Sequence, residues 1–218
     1  LAAGSTRGGA RIHAVMRLDR EITIGGAGGE DVLPLLILRN GHDGGLAVTV
    51  SVAPFRLVCL NGMLLPVEGA ARTWKARHTA TISERLTGAR RTLQIAWAYY
   101  DELERVGASL LRQPISLPEV ERFLRRLIPD PTGPTTTERR RRSAEDTRLR
   151  LLDVYLTTPD LDAIRGTRWG VLQAVGAYHD HHARIRQTRG RRVTEARFER
   201  ATEPATLKDR ALALLQEA

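Results

Sequence analysis

The chain has 218 residues, 42% of them hydrophobic, and carries 34 basic against 25 acidic side chains for a formal net charge of +9. That length supports one large domain or two small ones around a real core. No apolar run reaches the roughly 18 residues of a membrane span, and the N-terminus lacks the charged-then-apolar pattern of a signal peptide, so a cytosolic protein without membrane contact is expected. The abrupt start, LAAGSTRGGA, reads as a fragment or a processed form. A lone Cys59 excludes an internal disulfide and a thiolate zinc cluster.

Arginine far outnumbers lysine. Its planar fork matches phosphate oxygens two at a time, so the natural partner is a polyanion, while a coding bias toward Arg and Ala gives the same composition with no ligand at all.

In chain order, RIHAVMRLD alternates Ile12, Ala14, Met16 and Leu18 against Arg11, His13 and Arg17, which predicts a half-buried strand with the apolar set inward. GGAGGE is a turn. DVLPLLILRN is a second strand, with Pro34 suggesting an edge. After NGHDGG, the segment LAVTVSVAPFRLVCL resumes the alternation, and a three-stranded antiparallel meander is the simplest arrangement.

From Thr81 the period becomes helical. A capping box from Thr81 to Glu84 opens a long helix, about residues 82 to 110, with Leu86, Ala89, Leu93, Ala96, Tyr100, Leu103 and Val106 as its apolar stripe. Ser116 and Glu119 open a shorter helix through Phe123 and Leu127. The connector IPDPTGPTTTE stops it, and a boundary near residues 130 to 136 separates a sheet-plus-helix core (1–130) from an Arg-rich helical region (131–218). Thr135 to Glu138 starts a helix with RRRR as an exposed first turn and Leu149, Leu152, Val154 and Leu156 inward. Another runs from about Thr167 with Trp169, Leu172 and Val175 inward, and a last one from Thr206 with Leu207, Ala211 and Leu214 inward.

Residues 178 to 186, YHDHHARIR, concentrate three of the six histidines. Imidazoles and a carboxylate are metal-ligand types, yet helical spacing puts His179 and His182 on one side and Asp180 and His181 elsewhere, so a metal needs a distant ligand such as His42 or His78. The plainer alternative is an Asp180 to Arg184 ion pair at i, i+4 near a helix C-terminus. Between Arg165 and Arg200 nine arginines face three acids, a net +6. Arg189, Arg191 and Arg192 in TRGRRVT suit a phosphate backbone, or form a solvated loop with no ligand.

A second cluster holds Arg56, Cys59 and Asn61, then Trp74, Lys75, Arg77 and His78 before the long helix, where a ring beside cations can stack a base and hold a phosphate. Trp74 as plain core and Cys59 as a small buried hydrophobe are the bland readings. A Cys59/His78 nucleophile pair lacks an oxyanion donor. No Walker loop, GxGxxG, HExxH or GxSxG is present.

The run NGHDGG, PFRLVCLNG, RHT with ISERL, GTRWGVLQAVGAYHDHHARIR, RFERA and LKDRALALL resembles the phage/plasmid-like protein family, domain of unknown function 932, over nearly the whole chain. The recurrent polar positions of that family fall here on His42, Arg56, Cys59, Asn61, His78, the Gly166 to Trp169 turn, Tyr178, Asp180 and His181, with Gly62 departing from the usual Thr. The resemblance implies a role in DNA metabolism of mobile elements. The strand meander followed by a long helix is also similar to the core of phage single-strand annealing recombinases, which implies ATP-independent binding of single-stranded DNA by assembled copies.

Together these observations predict an α+β protein with an antiparallel meander packed on a long helix and a helical C-terminal region. The expected function is cofactor-free, non-enzymatic binding of DNA, probed by Arg56, Lys75, Arg77, His78, Arg168, Arg184, Arg186, Arg191 and Arg192. A metal-dependent nuclease using Asp180 and His181 is the enzymatic alternative, and a structural or interaction protein the third.

Overall fold

The computed structural model describes residues 2–26, 29–56, 65, 73–76, 82–185, 192–202 and 205–217, with the long helix's side chains described from residue 96. The fold is α+β. Among the described residues, β1 (Ala2–Thr6), β2 (Arg11–Arg17), β3 (Ile22–Ile24), β4 (Glu30–Gly41), β5 (Val48–Arg56) and β6 (Thr73–Ala76) form one antiparallel sheet. Its order is β1-β2-β4-β5-β6, and β3 pairs β4 along the edge that also holds β2. The expected meander β2, β4, β5 is its centre, extended by two short outer strands and β3. The glycine turn connects β3 to β4, and positive φ at Gly25 and Gly26 is what a side chain would resist there. Pro34 does not sit on a sheet edge. It lies inside β4 opposite Pro54, level with the gap between β2 and β3.

The helix α1 (Ile82–Leu111) crosses one face of the sheet. Ala96, Tyr100, Leu103 and Val106 of the expected stripe are buried with Ile24, Val32, Leu36, Val50 and Val52. Approach is close at Gly107, where a Cβ would lie 2.7 Å from Ile24. Thr81 and the side chains of Glu84, Leu86, Ala89 and Leu93 fall outside the described residues. Because α1 packs on β3, β5 and β6, it leaves the β2 end of this face open, and the inward reading of Ile12 and Met16 is wrong: they are 42% and 47% exposed.

Five further α-helices follow among the described residues, α2 (Leu117–Leu127), α3 (Glu138–Thr157), α4 (Arg168–Ala177), α5 (Val193–Ala201) and α6 (Thr206–Gln216). The Ser116/Glu119 capping box is formed, with the Ser116 amide donating to Glu119 Oε2 at 2.8 Å. On α3 the N-cap is Thr137, and the buried side chains are Leu151, Val154 and Tyr155. Leu149 and Leu156, expected inside, are exposed, because the stripe that faces α4 is rotated around the helix from the one they share. On α6 the same rotation buries Lys208, Ala211, Leu212 and Leu215 while Leu207 and Leu214 are only partly covered. One continuous apolar cluster runs from Leu18 to Leu215, so the sheet core and the helices beyond residue 131 share it.

A candidate site built on a buried Asp–Lys pair

Apart from Gln173, itself buried, α4 is apolar or small from Trp169 to Ala177, and nine of its ten residues are buried. So apolar a helix belongs at the centre, and α4 packs on α1, α3 and α6. At its C-terminal end the ladder widens. The Ala183 amide donates to Tyr178 O, five residues back, at 2.6 Å, so YHDHH is a π turn. Such turns commonly mark functional positions.

Widening leaves carbonyls without helical partners, and two arginines of α5 take them. Arg197 Nη1 donates to Asp180 O at 3.0 Å and to His181 O, while Arg200 Nη1 donates to His179 O at 3.2 Å and Ala183 O at 3.0 Å, and Arg200 Nη2 to Arg184 O at 3.1 Å. These are charge-assisted bonds to the negative end of a helix. Inside the turn, Asp180 is wholly inaccessible and Lys208 of α6 only 2% accessible, and Lys208 Nζ donates to the carboxylate at 2.7 Å. His179 Nδ1 lies 2.8 Å from the same carboxylate.

Burial pulls the Lys208 ammonium below its ordinary range, and Asp180 opposes that pull. Burial likewise lowers His181, again against Asp180, so its imidazole is favoured neutral. His181 Nε2 is buried without a hydrogen-bond partner. The surface ion pair expected between Asp180 and Arg184 is not what forms: Asp180 points into the core to Lys208, and Arg184 is exposed. A carboxylate closed off against an ammonium is a poor cation ligand, and among the described residues no group of three His, Cys, Asp or Glu side chains is placed to hold a metal. The pair instead fixes the turn at the end of α4 to α6, and Arg197 and Arg200 fix α5 to the same turn.

Of the nine residues expected to meet phosphate, five are described. Arg56 is 1% exposed; its Nε donates to Glu30 Oε2 and its Nη2 to Asp160 O at 2.6 Å, so it ties the end of β5 to the 3₁₀ turn Pro159–Leu161 and is no surface cation. Arg168 Nη1 donates to Leu215 O at 2.7 Å and holds the end of α6. Trp74 is half-buried and packs against the apolar cluster. Lys75, Arg184 and Arg192 are exposed. Arg77, His78, Arg186 and Arg191 lie outside the described residues.

Sheet register adds a relation that spacing could not reveal. Gly4, His13, Arg39, Thr49 and Lys75 are successive cross-strand partners through β1, β2, β4, β5 and β6, and so form one row on one face. On that face sits α5, with the Phe198 ring 4.7 Å from the His13 ring and 5.9 Å from the Arg39 guanidinium carbon. Lys75 and the helix begun by Arg192 therefore share a side of the sheet.

A further basic feature was legible as a surface turn but not as a site. Arg139, Arg140, Arg141 and Arg142 are all exposed on α3, and Arg142 pairs with Glu138 at 3.2 Å. Arg148 Nη1 reaches Ile128 O at 2.9 Å and Asp130 at 2.7 Å, which fixes the end of α2 level with residue 148.

Compared with known families, the chain matches the profile described as Domain of unknown function (DUF932) over residues 1–202. It belongs to that family. No curated protein and no solved structure matches the chain. Within the DUF932 segment lie the π turn, Asp180 and both clamping arginines, whereas Lys208 stands on α6 beyond the matched residues. No described helix is long and apolar enough to cross a membrane.

Proposed function

We propose that this DUF932 protein is an ATP-independent nucleic-acid-binding protein that grips the phosphate backbone, single-stranded DNA first, in recombination or replication of a mobile element. The observation that carries the reading is the run Arg139–Arg142, four exposed guanidinium groups around the first turns of α3. Cations at a helix N-terminus oppose its dipole and one another, each at a cost of about 0.3–1 kcal/mol. A polyanion laid across the run converts that repulsion into attraction and releases its own counterions. The chain's net charge of +9 steers such a partner toward it.

The test is fluorescence polarisation with labelled single- and double-stranded oligonucleotides at low and moderate salt. Binding should weaken steeply with salt, and the triple variant Arg139→Glu, Arg140→Glu, Arg141→Glu should flatten the logarithmic salt dependence by about one unit per lost phosphate contact. Absence of binding to either oligonucleotide at low salt removes the proposal. Equal affinity for duplex and single strand removes the strand preference alone.

A further inference from the structure

The interface between α5 and the sheet is built from charged, polar and aromatic groups. Beneath the helix lie His13 and Arg39, with Arg11 beside them; the helix itself brings Arg197 and Arg200, balanced by Glu195 and Glu199. Burial and then the Arg39 charge both push the His13 imidazole toward its neutral form, a sign that a further cation is unwelcome in this layer. Thr49, between Arg39 and Lys75 in the row, keeps its hydroxyl oxygen buried without a hydrogen-bond partner.

Apolar burial contributes little to keeping α5 there. Of its nine residues only Ala196 and Ala201 are buried, and none of its residues belongs to the continuous core cluster. Its attachments to the sheet side are polar or aromatic: Arg39 Nη2 to Thr202 O at 3.2 Å, Phe198 on His13, Arg11 near Glu199 at 3.8 Å, and Glu195 accepting from the Arg7 amide at 3.3 Å. Its attachments to the π turn, through Arg197 and Arg200, are separate from these. Elements with few buried apolar contacts open at the lowest free energy.

We infer that the polar face of the sheet beneath α5 is a second phosphate-binding surface, and that α5 is a lid over it which stays tethered to the π turn when it lifts. The inference rests on the nucleic-acid reading above and extends it to a site closed in this structure. Once α5 lifts, the row offers two cations to phosphate, Arg39 and Lys75, two strands and so roughly 10 Å apart across Thr49, with the His13 imidazole one strand beyond Arg39 as a neutral donor. Phe198, released from His13, becomes available to stack a base.

The test uses the full chain with Cys59→Ser, His13→Cys and Phe198→Cys, compared with itself before and after bridging positions 13 and 198 by a short bismaleimide. The bridged protein should bind a labelled single-stranded oligonucleotide at least tenfold more weakly than the unbridged protein. In the otherwise native chain, Lys75→Glu, an exposed substitution that spares the core, should weaken binding severalfold and lower the salt slope by about one. Equal binding of bridged and unbridged protein overturns the lid, as does an unchanged affinity in Lys75→Glu for the sheet surface, while both results leave the Arg139–Arg142 reading standing. If the native chain binds no oligonucleotide, both readings fall together.

Discussion

The helices on either side of the π turn are held in opposite ways. Nine of ten residues of α4 are buried, and it sits in the middle of the apolar cluster; α5 buries two alanines and is held by arginine forks, a stacked ring and carboxylates. Apolar burial is additive and indifferent to direction, so α4 has one stable seat. Charge-assisted bonds are directional and compete with water and with other anions, so α5 stays only while its partners remain in place. Between them the buried Asp180–Lys208 pair belongs to both regimes, because desolvation makes it expensive to break and geometry makes it specific.

The largest effect expected is from breaking that pair on one side. Asp180→Asn or Lys208→Met leaves an uncompensated buried charge and should cost about 3–5 kcal/mol, seen as a fall of roughly 10 °C in the thermal midpoint. The double variant should recover a large part of the loss, since both charges are then gone. Equal or additive destabilisation would mean that the two groups are not coupled.

A smaller effect follows from acid. His181 and His13 are held below the ordinary histidine range in the folded chain, so near pH 6.5 the unfolded chain binds protons that the native state refuses. Stability should therefore be full above pH 7 and decline as pH falls through 6.5 toward the lowered native values. Urea midpoints measured from pH 7.5 to 5.5 should show this slope, and His181→Gln should make it shallower; a midpoint that rises on acidification contradicts the burial argument.

The smallest effect separates the two ends of the sheet. Met16→Lys, on the part of the face that α1 does not cover, should change stability by no more than about 0.5 kcal/mol. Val52→Ala, on the covered part, should cost about 2 kcal/mol by lost burial and the cavity left behind. Similar losses at both would show that something besides α1 packs over β2.

Much of this was legible locally. The α+β class, the β2-β4-β5 meander, the extent of α1 and the Ser116 capping box follow from periodicity and capping chemistry, which act within a few residues. The family resemblance was carried by short runs in order, and it is the DUF932 match that makes it a membership. Which face of a strand or helix is covered was less legible. Ile12, Met16, Leu149 and Leu156 obey the apolar pattern and are exposed, the first two because α1 packs on other strands and the last two because α3 turns a different stripe inward.

Charge was the least legible. Arg56 looked like a phosphate contact and is neutralised inside by Glu30. YHDHHARIR looked like a metal cluster or a helix-surface pair, yet its carboxylate meets an ammonium 28 residues further on. The sequence by itself determined the elements, the excess of arginine and the polar residues of the turn. Only the tertiary structure decided which charges face one another and which face water, since Coulomb attraction and desolvation depend on distance and burial in space, and neither is written into the spacing of residues along the chain.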